Sequence, residues 1–266
     1  MLDKIFADRF HNIRFSDLPL LRISLRDLPD GSFYSCLYAE IARRGLTVPN
    51  EEKIIINKKD TAKIIADICK RDLRLAPSKL SVLSSGAGLG IVESYLRESG
   101  FNVTGIEFHK DPKFWHPEVE HLTSLDLLGS RQFDIAIEVS TFYTMDDQKL
   151  AQHVSTLASK VRECGILIIY EQDSKSVLGS VYGFVKSMVM DLLPTRRWKS
   201  TSLWGYLRTP DQLLKIVKSN AKHTESRYFR LGDDWSIIEM PAPVRFCGRQ
   251  LFRRSSLSQM HVFRRD

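Results

Sequence analysis

A short apolar run, Leu80 to Ser84, leads into Ser85-Gly86-Ala87-Gly88-Leu89-Gly90, and an amphipathic segment follows. Alternate glycines let a backbone turn sharply and bring its amides against a ligand at a helix N-terminus. A strand, a glycine turn and a helix in that order point to a parallel sheet whose ligands sit beyond the carboxyl ends of its strands. Downstream segments sustain the pattern. Asn102–Glu107, Val119–Leu122, Phe133–Val139 and Ile166–Tyr170 read as strands, and the mostly apolar run at 133–139 suits a central one. Leu89, Val92 and Leu96 mark one helix, and Leu150, Val154, Leu157 and Val161 mark another over 148–162. With Glu225–Leu231 and Trp235–Met240 the prediction is a doubly wound, mostly parallel seven-stranded α/β sheet.

The flanks are less regular. Residues 1–58 carry Pro19, Pro29, Asp30-Gly31 and Pro49 around one helical stretch, Phe33–Arg44, and read as an N-terminal helical extension or lid. Asp60 or Thr61 is the expected cap of a helix to about Leu75, so the main domain is placed at 59–266. Residues 174–208 break the alternation with an amphipathic helix, then Arg196-Arg197-Trp198-Lys199 and Trp204-Gly205-Tyr206. This is the candidate acceptor-binding insertion. Thr209-Pro210-Asp211 opens a further helix with a cap, a proline at its first position and an acidic first turn. Beyond Pro243 six arginines (245, 249, 253, 254, 264 and 265) read as a basic patch or a solvated tail.

Composition narrows the class. The 266 residues are 43% hydrophobic and 27% charged, which is globular rather than disordered, and the net charge of +7 favours an anionic partner. Cys36, Cys69, Cys164 and Cys247 form no CxxC or Cys/His cluster, so no metal site is expected. Nothing approaches the ~18 apolar residues of a membrane span, and the first residues lack a secretory pattern. A cytoplasmic protein with reduced thiols is the expectation.

The spacing of the glycines discriminates among cofactors. Glycines at 86, 88 and 90 give GxGxG, whereas the dinucleotide fingerprint needs its third glycine at 91, occupied by Ile91. Glu107 lies 107 − 90 = 17 residues on, at the end of the second strand, where a carboxylate can accept hydrogen bonds from ribose hydroxyls.

Together, VLSSGAGLG (82–90), VTGIEFH (103–109), Leu125-Asp126-Leu127, FDIAIEVSTFYTMDD (133–147) and CGILIIYE (164–171) resemble the class I S-adenosylmethionine-dependent methyltransferases over about residues 60–240. The resemblance implies a Rossmann-like methyltransferase fold with S-adenosylmethionine as cofactor. By position, Ser85, Gly86, Ala87, Gly88 and Gly90 would face its methionine part, and Glu107 would hold the ribose. Phe108 would pack on the adenine, Asp126 and the Leu127 amide would contact its edge, and Glu138 would face the methyl or the amino group. One departure stands out: the family's usual acid two residues before the first glycine is Ser84 here.

A sulfonium methyl is already activated, so transfer needs alignment more than machinery, plus a base where the acceptor is a hydroxyl. Glu138, Tyr143 and Asp173 are the catalytic candidates, with Glu171 beside them. The stretch after strand four, Glu138-Val139-Ser140-Thr141, lacks the proline-rich motif of amine-directed relatives, which favours oxygen. A small-molecule or saccharide acceptor, anionic in keeping with the nearby arginines, is preferred. RNA is the runner-up partner. A non-catalytic binding or scaffold protein, and then a nicotinamide-dependent oxidoreductase, are the competing classes.

Overall fold

The computed structural model describes residues 51–107, 114–142, 145, 147–172, 208, 210–231, 236–240 and 257–265. An N-terminal helix α1 (Glu51–Leu73) precedes β1 (Ser81–Ser85), α2 (Ile91–Glu98), β2 (Asn102–Ile106) and β3 (Glu120–Leu122). Next come β4 (Phe133–Val139), α3 (Asp147–Ser159), β5 (Val161–Gln172) and α4 (Pro210–Val217). The chain closes with β6 (Lys222–Leu231), β7 (Ile237–Glu239) and β8 (Leu257–Arg264).

The strands form one sheet in the order β3-β2-β1-β4-β5-β8-β6-β7. β1 pairs in parallel with both β2 and β4, β2 with β3, and β4 with β5. The chain order reverses between β1 and β4, so the crevice expected for a ligand lies over the carboxyl ends of these strands. The other half is mixed: β8 runs antiparallel between β5 and β6, and β7 is antiparallel to β6.

Among the described residues the sheet has eight strands, two of them antiparallel, which corrects the expected seven. The overlooked strand, Leu257–Arg264, lies in what the sequence suggests is a basic tail. It inserts Met260, Val262 and Phe263, all buried, but also buried Gln259 and His261. Those two polar residues blur the apolar signal of a central strand. The last two tail arginines serve the fold here, donating to helix-end carbonyls: Arg264 to Asp72 of α1 and Arg265 to Ser159 of α3.

Alternation along the strands divides the core between the two faces. Val82, Ile135, Ile137, Ile166 and Ile168 meet Ile65, Ile68 and Leu96 from α1 and α2. Leu83, Ala136, Leu167 and Ile169 meet Leu150, Val154 and Leu157 of α3 with Leu213 and Val217 of α4. Each such Leu or Ile contributes about 1.5–3 kcal/mol by leaving water.

α1 begins at Glu51, well before the expected cap at Asp60 or Thr61. Thr61 is buried mid-helix, and its hydroxyl donates to the Asn57 carbonyl four residues earlier. β4 matches its expected span, 133–139. β5 begins at Val161 rather than Ile166, because Val161 already pairs with Phe133 of β4, and after a register shift the ladder resumes with Ile166 opposite Ile135. Of the expected lid (1–58), residues 51–58 form the start of α1 and residues 1–50 lie outside the described residues; of the expected insertion (174–208), residues 174–207 lie outside them. No described helix is long and apolar enough to cross a membrane.

Candidate functional site

The glycine turn connects β1 to α2, and each of its glycines has a positive φ: +69° at Gly86, +57° at Gly88 and +74° at Gly90. L-residues with side chains rarely adopt that region, which explains three glycines so close together. Their surroundings differ. A Cβ on Gly86 would lie 2.2 Å from Thr141 Oγ1, and one on Gly90 2.5 Å from the Trp115 ring. Among the described residues, a Cβ on Gly88 would meet nothing within 4 Å. Gly86 and Gly90 are therefore pressed against protein, while Gly88 faces no described neighbour.

Glu107 follows β2 and is fixed at three points. Its amide donates to the Leu122 carbonyl at 2.9 Å, and its own carbonyl lies 2.8 Å from His121 Nε2. Its carboxylate accepts the Gly88 amide at 2.7 Å. The strand-end acid and the open glycine thus stand together. Gly86 and Ala87 both donate to the Ile106 carbonyl at 3.0 Å, which ties the loop to the end of β2.

Asp126 and Leu127 lie in a short 3-10 turn after β3. The Asp126 amide is capped by Ser124 Oγ at 3.2 Å, and the Leu127 amide makes a long 3.3 Å bond to the Ser124 carbonyl. Leu127 is 59% exposed, an unusual position for a leucine. Both residues are thus on the surface beyond the strand next to β2.

Glu138 closes β4 and is completely buried. It accepts the amide of Thr141, while Glu171, buried on β5, accepts the Phe142 amide at 2.6 Å. The two carboxyl groups hold the loop after β4, whose Ser140 has the left-handed φ of +61°. Burial, and then the negative charge of Glu171, raise Glu138 well above the usual carboxylate range. The loop reaches the glycine turn through Thr141 Oγ1, which donates to the Gly86 carbonyl at 3.2 Å. Ser85, at the end of β1, contacts His153 Nε2 of α3 at 3.0 Å. Phe108, Tyr143 and Asp173 lie outside the described residues.

Two further residues escape a reading by motif. Arg208 is buried and donates to Asp147 Oδ1 at 2.8 Å, the Phe142 carbonyl at 3.0 Å and the Met145 carbonyl at 2.7 Å. It fastens the residues just before α4 to the loop after β4. Glu93, in the first turn of α2, is also buried and accepts a 2.5 Å hydrogen bond from Ser84 Oγ. Its signal was present: position 93 falls four after Leu89 and three before Leu96, on the inward face of the helix.

The fold recurs in solved structures. Magnesium protoporphyrin IX methyltransferase from Synechocystis PCC 6803, with bound S-adenosylhomocysteine, superposes with a TM-score of 0.57 at 15% identity, covering 89% of this chain and 98% of that one. The 1,6-didemethyltoxoflavin-N1-methyltransferase of Burkholderia thailandensis gives 0.56 at 14% identity, covering 90% and 91%. The chain has the fold of the S-adenosylmethionine-dependent methyltransferases. A third example, from Archaeoglobus fulgidus, gives 0.50 at 13% identity over 77% of this chain and 94% of that one. No family model and no curated protein sequence matches. Within the methyltransferase fold, Glu107 and the glycine turn occupy the carboxyl ends of β1 and β2, where β1 meets β2 on one side and β4 on the other.

Proposed function

We propose that the protein transfers a methyl group from S-adenosylmethionine to a hydroxyl of a small-molecule or saccharide acceptor. The observation that carries this reading is the pairing of an open, positive-φ Gly88 with the strand-end carboxylate of Glu107, 2.7 Å from its amide. The residues present fit that cofactor. A cradle where even a Cβ finds no neighbour leaves room for a ligand against the backbone, and a fixed carboxylate beside it suits vicinal ribose hydroxyls.

When bound, the cofactor supplies a methyl group already activated on sulfur. Ser85 to Gly90 line its methionine part, Glu107 accepts its ribose hydroxyls, and Asp126 with the Leu127 amide meets the adenine edge, beside Phe108. Glu138 takes the acceptor's proton, because a carboxyl raised by burial operates closer to neutral pH than an ordinary one. Tyr143 and Asp173 follow the same strand ends in sequence and are its alternates. The segment 174–208 is the candidate acceptor-binding insertion, and its Arg196, Arg197 and Lys199 suit an anionic group in the acceptor.

Supplying the purified protein with S-adenosylmethionine and panels of hydroxylated small molecules, saccharides and RNA, and measuring S-adenosylhomocysteine release, tests this. Turnover with a hydroxylated small molecule or sugar is expected. Turnover with RNA alone would replace the acceptor class. Cofactor binding with no turnover on any panel would favour the non-catalytic reading.

A further inference from the structure

Glu93 presents an unexplained expense. A carboxyl group buried without full compensation costs several kcal/mol, and such groups persist where they have a use. Glu93 is 1% exposed, and among the described residues its one hydrogen-bonded oxygen takes the Ser84 hydroxyl at 2.5 Å, while Oε2 accepts none. Packing alone would be served better by a leucine, since the neighbours on this helical face are Val92 and Leu96.

Its position supplies the use. Ser84 stands two residues before Gly86, on the strand that feeds the glycine turn, and Glu93 is three residues beyond Gly90, on the helix that leaves it. The Ser84–Glu93 bond therefore crosses beneath the turn. Glu107 lies close enough to repel the Glu93 carboxyl, and Lys58 of α1 close enough to attract it. Two carboxyl groups thus flank one glycine turn: Glu107 is engaged with the Gly88 amide, and Glu93 retains an oxygen in reserve. Such a pair is suited to a ligand that brings a positive charge to one end and hydroxyls to the other.

We propose that Glu93, held by Ser84, is the group that recognises the ammonium of the donor's amino-acid end at the glycine turn. The acid absent from position 84 is in effect supplied from the first turn of α2. This rests on the reading of the turn as an S-adenosylmethionine site, and it adds a residue that the motif does not contain.

Two probes separate the ends of the ligand. S-adenosylhomocysteine carries the amino-acid end, and 5′-methylthioadenosine lacks it but keeps the nucleoside. Glu93→Gln should weaken S-adenosylhomocysteine at least about tenfold, the loss expected for one charge-assisted contact, and leave methylthioadenosine within about twofold. Ser84→Ala should shift the first ligand in the same direction, and the double variant should lose no more than Glu93→Gln alone, because both act through one contact. Melting temperatures confirm folding; if Glu93→Gln does not fold, Ser84→Ala carries the test by the same comparison. Unchanged S-adenosylhomocysteine affinity overturns the proposal, and so does equal weakening of both ligands, which would make Glu93 merely structural. A wild-type protein that binds neither probe would instead overturn the cofactor reading, and the proposal would fall with it.

Discussion

The carboxylate of Glu107 and the amide of Gly88, 19 residues apart in the chain, meet at 2.7 Å. This contact brings the end of β2 to the turn that leaves β1, so that the ribose proposed for Glu107 would lie against the loop glycine whose Cβ would meet no described residue within 4 Å. Glu107→Ala removes the tie and, with it, the proposed acceptor of the ribose hydroxyls. We expect the affinity for S-adenosylhomocysteine and for methylthioadenosine to fall together, by at least about tenfold, while stability falls by only about 1 kcal/mol. Titration and a thermal melt read the two effects separately. Unchanged affinity would remove Glu107 from the site.

The three loop glycines should respond unequally to alanine. At Gly90 the methyl collides with Trp115 and at Gly86 with Thr141, so both substitutions combine backbone strain with a clash. Gly88→Ala meets only the strain of φ +57°, about 1–2 kcal/mol. We expect Gly88→Ala to fold and to lose ligand affinity, and Gly90→Ala to be markedly less stable. Chemical denaturation with a binding assay on each variant makes the comparison. Equal destabilisation at both positions would contradict the packing described.

Arg208 makes its contribution at the other side of the site. Its fork spans Asp147 and two loop carbonyls, a geometry a lysine cannot reproduce. Arg208→Ala should cost about 3 kcal/mol, since it leaves buried carbonyls without their donor, and Arg208→Lys should recover only part of that. Asp147→Ala should cost far less, because its side chain is 78% exposed. Denaturation midpoints for the three variants decide the order.

The Glu93 carboxyl is pushed up to about 7 from 4.5, first by burial, against the opposing hydrogen bond from Ser84 and the charge of Lys58. In the folded chain it therefore keeps its proton between about pH 4.5 and 7, where the unfolded chain has lost it. Stability conferred by that proton falls as pH rises through this window, by on the order of 3 kcal/mol at its upper end. Glu93→Gln removes the penalty. Its melting temperature should match the wild type near pH 4.5 and exceed it increasingly toward pH 8. Glu138 adds a slope of its own in the same direction, so the informative quantity is the difference between the two proteins.

How much of this was legible in the sequence depended on whether function or packing dictated the residue. The glycine turn, Glu107 and β4 were readable because a positive φ, a strand-end acid and a doubly buried strand each restrict residue type. α1 was misjudged at its start because Thr61 reads as a cap, yet its hydroxyl bonds backwards inside the helix. β8 was missed because Gln259 and His261 interrupt its apolar residues. Inside the sheet they are satisfied by one another, His261 Nε2 lying 2.8 Å from Gln259 Oε1, and by distant partners: Gln259 donates to the Arg208 carbonyl at 3.3 Å, and His261 Nδ1 lies 2.8 Å from Ser226 Oγ. Glu93 is hidden in the sequence for a similar reason: Ser84 reads there as a missing acid, and only in three dimensions does its hydroxyl meet the Glu93 carboxyl at 2.5 Å.

On the proposed reading, the crevice beside Gly88 and Glu107 takes S-adenosylmethionine. Calorimetric titration of the wild-type protein with S-adenosylmethionine and S-adenosylhomocysteine, with NADH as control, addresses it most directly. Micromolar, one-to-one binding of the first two, with no heat from NADH, is the expected result. Binding of NADH alone, or of none of the three, would contradict it.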